Sequence, residues 1–153
     1  MTLAFVAVGG NLGDARATVR RALDDLATLP RTRLRARSSL YRSAPVDATG
    51  PDFINAVVAL ETELDPEALL DELQRLEQGA GRVRPYRNAP RTLDLDVLMH
   101  GDMSIDTPRL TLPHPRMTQR AFVLLPLAEI APGRVGPAAL AQVAHQPIER
   151  LVD

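Results

Sequence analysis

The stretch Arg91-Thr92-Leu93-Asp94-Leu95-Asp96-Val97-Leu98 sets two carboxylates two residues apart in an apolar, strand-like run. Residues two apart in a strand share a face, so Asp94 and Asp96 stand together while Leu93, Leu95 and Val97 face the core. Two carboxylates about 7 Å apart at strand rise repel unless a cation lies between them. One reading is a divalent metal, and Mg²⁺ suits an oxygen-rich site that shares phosphate oxygens. The other is a solvated strand face with arginine partners, and the spacing alone leaves both open. The preceding segment shifts the balance. Arg82, Arg84, Arg87 and Arg91 fall in one irregular stretch marked by Gly79, Gly81, Pro85 and Pro90. An isolated arginine run is by default a solvated loop. Beside a carboxylate pair, guanidinium groups that bind phosphate oxygens bidentately would complete a cage for a polyphosphate. Acid pair and arginine loop together match what phosphoryl transfer needs: neutralisation, in-line positioning and cations over the transition state.

A second constellation is Phe53-Ile54-Asn55. The chain has three phenylalanines, two tyrosines and no tryptophan, so each aromatic must be accounted for. Phe53 and Asn55 share a strand face, where a ring beside a carboxamide can hold a flat, hydrogen-bonding heterocycle, with Phe122 able to supply the other side of a sandwich. Against this, a lone phenylalanine is more often core; an asparagine within a strand is harder to dismiss. His114 stands between Pro113 and Pro115, followed by Arg116 and Arg120, on stiff chain from which it could contact a phosphate or a base. Three scattered histidines do not make a zinc site.

Several chemistries are excluded. All 18 basic residues are arginine, so a Walker A lysine, a kinase lysine and a Schiff base are impossible. There is no cysteine, hence no disulfide, thiolate metal site or cysteine nucleophile. Gly9-Gly10-Asn11-Leu12-Gly13 follows a strand, but Val8 stands where a dinucleotide fingerprint needs its first glycine, so it reads as a tight strand-to-helix turn. With 18 basic against 19 acidic residues, no net attraction to nucleic acid or anionic membrane is expected. No apolar run approaches a membrane span and the first residues lack a basic signal-peptide start, so a cytoplasmic protein is expected.

These residues need elements to position them. At 153 residues, one domain over 1–153 is expected. Leu3 to Val8 predicts a buried strand, and Ala15 to Leu29 a helix capped by Asp14 and stopped by Pro30. Leu34 to Tyr41 predicts a second strand and Phe53 to Leu60 a third. A helix from Asp65-Pro66-Glu67 to near Gly79 follows, with Leu69, Leu70, Leu73 and Leu76 on one face. Thr92 to His100 predicts a fourth strand, then a hairpin turning at Gly101-Asp102 with a short strand near Met103 to Ile105. Ala121 to Ile130 predicts a last helix, and the tail beyond has weak signals. The order β-α-β-β-α-β predicts an α+β fold: a ferredoxin-like core, a mostly antiparallel sheet with helices packed on it, and a C-terminal extension.

The combination Gly81-Arg82-Val83-Arg84 and Pro90-Arg91-Thr92-Leu93-Asp94-Leu95-Asp96 resembles the signature of the 6-hydroxymethyl-7,8-dihydropterin pyrophosphokinase family. Further stretches fit in order from about residue 3 to residue 132: Val8 to Gly13, Tyr41-Arg42-Ser43-Ala44-Pro45, Pro51 to Asn55, Gln74 to Glu77, Arg109 to Pro115 and Arg120-Ala121-Phe122. The resemblance implies transfer of pyrophosphate from ATP to the hydroxymethyl group of a reduced pterin, with release of AMP, in folate biosynthesis. It implies two Mg²⁺ ions on Asp94 and Asp96, with Arg82 and Arg91 as catalytic cations in loops that close on the triphosphate. The pterin would meet Ser43, Ala44, Pro45, Val46, Phe53, Asn55 and Phe122. The nucleotide would meet Gln74, Glu77, Arg82, Arg84, Arg91, Val97, Arg109, Thr111, His114 and Arg120. The chain departs from many members at Gly10, where serine is common, and at Asn88 and Ala89, where tryptophan and glycine are common; any lid role of that indole falls to Tyr86 or is absent. A monomer is expected, with a weak homodimer as the alternative. Two rival readings are a Mg²⁺-dependent nucleotide phosphohydrolase, which would not need Asn55 between aromatics, and a ferredoxin-like ligand-binding module without turnover.

Overall fold

The computed structural model describes residues 1–45, 50–80 and 93–152. Its main sheet is built on β1 (Thr2–Gly10), which pairs antiparallel with β4 (Phe53–Thr62) on one side and β5 (Asp94–His100) on the other. β2 (Thr32–Arg37) and β3 (Tyr41–Ser43) both pair antiparallel with β4, and β8 (Ile148–Arg150) adds to β3. Counting β2 and β3 as one interrupted strand, this is the antiparallel ferredoxin-like order that β-α-β-β-α-β predicts.

The interruption is the first departure from expectation, which had one continuous second strand. Ser38 Oγ accepts the Val57 amide at 3.0 Å, taking a place in the strand pairing, and the chain then turns so that Leu40 enters the core before β3 begins. α1 (Ala15–Leu26) starts as expected, with Asp14 accepting from Ala17 N, but ends three residues early. Leu29 is buried without being helical, so burial rather than helix continuation produced its apolar signal. α2 (Pro66–Gly79) matches its expected limits, capped by Asp65 with Pro66 in the first turn. The expected hairpin is not made: β6 (Ile105–Asp106) pairs with β7 (Thr111–Leu112) in a separate two-stranded sheet instead of folding back on β5. The start of the predicted fourth strand at Thr92 lies outside the described residues.

Period-two alternation gives the sheet two buried faces. Ala4, Val6 and Val8, Ile54, Ala56, Val58 and Leu60, and Leu95 and Val97 form one core with Val19, Leu23 and Leu26 of α1 and Leu69 and Leu73 of α2. The opposite face is covered in part by α3 (Ala121–Ile130) and α4 (Pro137–Gln142), where Val123, Leu124, Leu127 and Val143 pack on Phe5, Val57, Ala59 and Leu98. The tail that gave weak signals therefore forms the third layer. A register shift between Phe5 and Val6 lets Met99 pack on this second core beside Leu98, so that two consecutive residues serve one face.

α3 is tied to the sheet by Glu129. Its carboxylate accepts from Ser39 N at 3.1 and 3.0 Å, from Ser39 Oγ at 3.0 Å and from Tyr41 Oη at 2.7 Å, with the Arg150 guanidinium 3.5 Å away. Burial pushes the Tyr41 phenol up to about 12, helped by its hydrogen bond to and the charge of Glu129. Burial alone would raise the Glu129 carboxyl, but the hydrogen bonds from Tyr41 and Ser39 and the charge of Arg150 outweigh it and hold the group below its ordinary value. The depressed carboxyl stabilises the fold fully above its ordinary value of about 4.5 and loses that contribution as pH falls through the folded value. The raised phenol contributes below pH 10 and loses its part as pH rises through about 12. Glu129→Gln should cost about 1–3 kcal/mol at neutral pH and flatten the acid limb of the stability curve. Urea unfolding at a series of pH values measures both, and an unchanged acid limb would remove Glu129 as its source.

Candidate active site

Asp94 and Asp96 stand at the start of β5, half-exposed, on the face that α3 covers farther along. The register sets what lies beside them. Gly9 pairs with Asp94 on one side and with Asn55 on the other; Ala7 pairs with Asp96 and with Val57. The acid strand and the Phe53–Asn55 strand are thus separated by the two smallest side chains available, at strand spacings that put Asp94 and Asn55 about 10 Å apart across Gly9. A Cβ on Gly9 would lie 3.0 Å from Asn55 Nδ2, so the missing side chain is the space that the carboxamide occupies.

Asn55 is buried and held. Ser43 Oγ on β3 donates to Asn55 Oδ1 at 2.7 Å, and Ser43 pairs in register with Phe53. Phe53 is half-buried and belongs to neither core cluster, unlike the ordinary core phenylalanine Phe5. Ala44 is exposed and Pro45 half-buried, continuing from Ser43 at the rim, while Val46 lies outside the described residues. Phe122, in the first turn of α3, packs partly on the second core, and the Arg120 guanidinium sits over its ring at 5.3 Å from the centroid. The buried Asn11, anticipated only as part of a turn, donates from Nδ2 to Pro51 O at 3.0 Å and so ties the end of β1 to the entry of β4.

His114 joins the acid pair to Arg120. Its amide donates to Leu98 O at 2.9 Å, which fixes the segment along β5. Its Nδ1 accepts the Arg116 amide at 3.2 Å, leaving the ring proton on Nε2 as a donor. Burial lowers the imidazole from its ordinary value, the charges of Arg120 and Arg116 lower it further, and Asp94 acts the other way. A neutral ring offering one N–H is the result. Glu77 is buried on α2 and accepts from Leu95 N at 2.7 Å, so it holds the first residues of β5 in place. Arg109 reaches Gln74 Oε1 at 3.1 Å, hydrogen-bonds Asp71 and lies 3.5 Å from Glu67. Thr111 is half-buried on β7.

Of the residues marked in the sequence, the structure gathers Asp94, Asp96, His114, Arg120, Phe122, Asn55, Ser43 and Phe53 around one sheet face, and places Gln74 with Arg109 on the α2 side. Val97 is different: its side chain lies in the first core, so only its main chain remains for a nucleotide. Arg82, Arg84 and Arg91 lie outside the described residues. Among the described residues no three acids or histidines cluster as a metal cage. Two carboxylates completed by phosphate oxygens are a donor set that Mg²⁺ commonly accepts, and the pair fits that ion.

Gly9→Ala isolates the packing argument. The added methyl must displace a carboxamide that Ser43 holds in place, at an expected cost of about 1–3 kcal/mol. Chemical denaturation reads that cost, and a loss below about 0.5 kcal/mol would mean that Asn55 yields freely.

A model of the family described as 7,8-dihydro-6-hydroxymethylpterin-pyrophosphokinase matches residues 5–132. The chain is 49% identical to the 2-amino-4-hydroxy-6-hydroxymethyldihydropteridine pyrophosphokinase of Pseudomonas aeruginosa, over 96% of this chain and 95% of that one. It is 43% identical to the Haemophilus influenzae protein of the same name, over 100% of this chain and 95% of that one. Among solved structures it resembles wild-type Plasmodium falciparum HPPK-DHPS, with a TM-score of 0.65 at 14% identity. A second HPPK-DHPS structure, in complex with substrates, gives 0.64 at 15% identity. In both cases the match covers 86% of this chain and 40% of the other, and at these identities it speaks to the fold.

Proposed function

From the premise that this chain belongs to the 7,8-dihydro-6-hydroxymethylpterin-pyrophosphokinase family, we propose that its open sheet face is where ATP and a reduced pterin react. The enzyme transfers a pyrophosphoryl group from ATP to 6-hydroxymethyl-7,8-dihydropterin, a step of folate biosynthesis. The observation that carries the placement is the row Asp94–Gly9–Asn55, with acid and carboxamide facing one space across a residue without a side chain.

In this reading Asn55, oriented by Ser43, reads the hydrogen-bonding edge of the pterin, and Phe53 and Phe122 lie against its faces. Ser43, Ala44, Pro45 and Val46 offer main-chain groups at its rim. Mg²⁺, as two ions held by Asp94 and Asp96, would supply neutralisation of the triphosphate when bound. His114 donates Nε2–H to a phosphate oxygen without adding net charge. Arg120 stands at the junction of the pterin and nucleotide ends, Gln74 on α2 and Arg109 packed beside it address the nucleotide, and Thr111, Glu77, Arg84 and the Val97 main chain complete that side. Arg82 and Arg91 stabilise charge as it develops on the phosphoryl oxygens. The hydroxymethyl oxygen forms a bond to the β-phosphorus, the bond from that phosphorus to the AMP oxygen breaks, and the hydroxyl proton leaves to solvent. We take the enzyme to act as a monomer, a single domain over 1–153. Among the described residues no helix is long and apolar enough to cross a membrane, and we place the enzyme in the cytoplasm with its small-molecule substrates.

Attack at the β-phosphorus separates this reading from a phosphohydrolase. ATP, Mg²⁺ and the pterin together should give AMP and pyrophosphorylated pterin in equal amounts, and omitting Mg²⁺ or pterin should stop AMP formation. Nucleotide chromatography decides it: ADP as main product, or AMP formed equally fast without pterin, would sink the reading. Asp96→Ala should fold normally and lose about 10³-fold in rate, about 4 kcal/mol of transition-state stabilisation. Near wild-type turnover with Mg²⁺ in that variant would remove the pair as the metal site.

A further inference from the structure

Arg120 is a junction. It ends the short 3₁₀ turn Met117–Gln119 and begins α3, yet its own backbone is extended, at φ −127° and ψ 112°, and its side chain makes no cap for the helix. The Arg120 amide donates to Met117 O at 3.4 Å and its carbonyl accepts from Val123 N and Leu124 N, but a helix start of this kind leaves first-turn amides without partners inside the helix. The side chain that closes it comes from the far end of the chain. Gln146 Oε1 accepts from Ala121 N at 2.8 Å, and Gln146 Nε2 donates to Gln119 O at 2.8 Å. One carboxamide thus bridges the residue before Arg120 and the residue after it. Gln146 is itself fixed by its amide, which donates to Val143 O at 3.0 Å, and Val143 is buried in the second core. The family match ends at residue 132, so Gln146 lies beyond it while the two residues that it bridges lie within it.

We propose that Gln146 is a positioning residue for the pterin end of the site. It acts through Arg120 and Phe122: with the main chain held on both sides, the Arg120 guanidinium stays over the Phe122 ring and the ring stays at a fixed height above the sheet. Both groups of the carboxamide are needed, because each fixes a different side of the junction. The inference rests on the proposed placement of the pterin, and the reaction itself does not depend on it.

Steady-state kinetics on purified full-length variants tests the idea, after AMP formation by the unmutated chain has established the reaction. Gln146→Met keeps the length of the stem and removes both hydrogen bonds. It should raise the pterin KM about tenfold, with kcat at saturation within about twofold of the unmutated chain. Gln146→Ala should give the same split. Val135→Ala, which loosens the same layer away from the segment that anchors Gln146, should lower the thermal midpoint while leaving the pterin KM within about twofold. A normal KM in the methionine variant would overturn the proposal, as would an equal rise in the valine variant at matched stability. Failure of the unmutated chain to make AMP would instead strike the functional reading.

Discussion

A strand whose residues alternate between two covered faces has no position for a polar group unless one face is left partly open. β1 and β4 are in that situation. One of their faces is closed along its length by α1 and α2, and the other is closed by α3 and α4 only toward one end. The odd-numbered positions of β4 show the transition within a single strand: Ala59 and Val57 lie under α3, then Asn55 and Phe53 lie beyond the second core. Strand β5 does the same in the same chain direction, with Leu98 under the helices and Asp96 and Asp94 beyond them. The site is the uncovered end of a face whose other end is core, so its floor is as rigid as the core it continues.

That arrangement was readable from the sequence wherever alternation carried it. Leu93, Leu95 and Val97 announced a buried face, and the aspartates between them had to look the other way. What alternation could not give was the register between strands. Gly9, Asp94 and Asn55 lie far apart in the chain, and only antiparallel pairing on both sides of β1 places them in one row. Gly9 read as part of a turn because its neighbours are turn formers; its use as space for a carboxamide depends on what pairs with it.

The tail was opaque for a related reason. Leu140 and Val143 stand at helical spacing, but α4 has only six residues and does not repeat it. Gln146 acts through its reach to a backbone 25 residues away, which leaves no local pattern. Glu129 was visible only as the one acid in an apolar helix. Its partners Ser39 and Tyr41 sit at the break between β2 and β3, and that break was itself invisible because Ser38 replaces a backbone partner with its hydroxyl.

Among the described residues β5 closes one margin of the main sheet, and no strand pairs with the outer side of its backbone. A bare margin of this kind is a template on which a strand from another molecule can add, and proteins guard against it by occupying the exposed amides and carbonyls. Here the guards are Glu77, which takes the Leu95 amide, and the His114 amide, which takes the Leu98 carbonyl. The strand that carries the acid pair is thereby covered at two points of its margin, by one side chain and one main-chain amide from the residues that we assign to the nucleotide side.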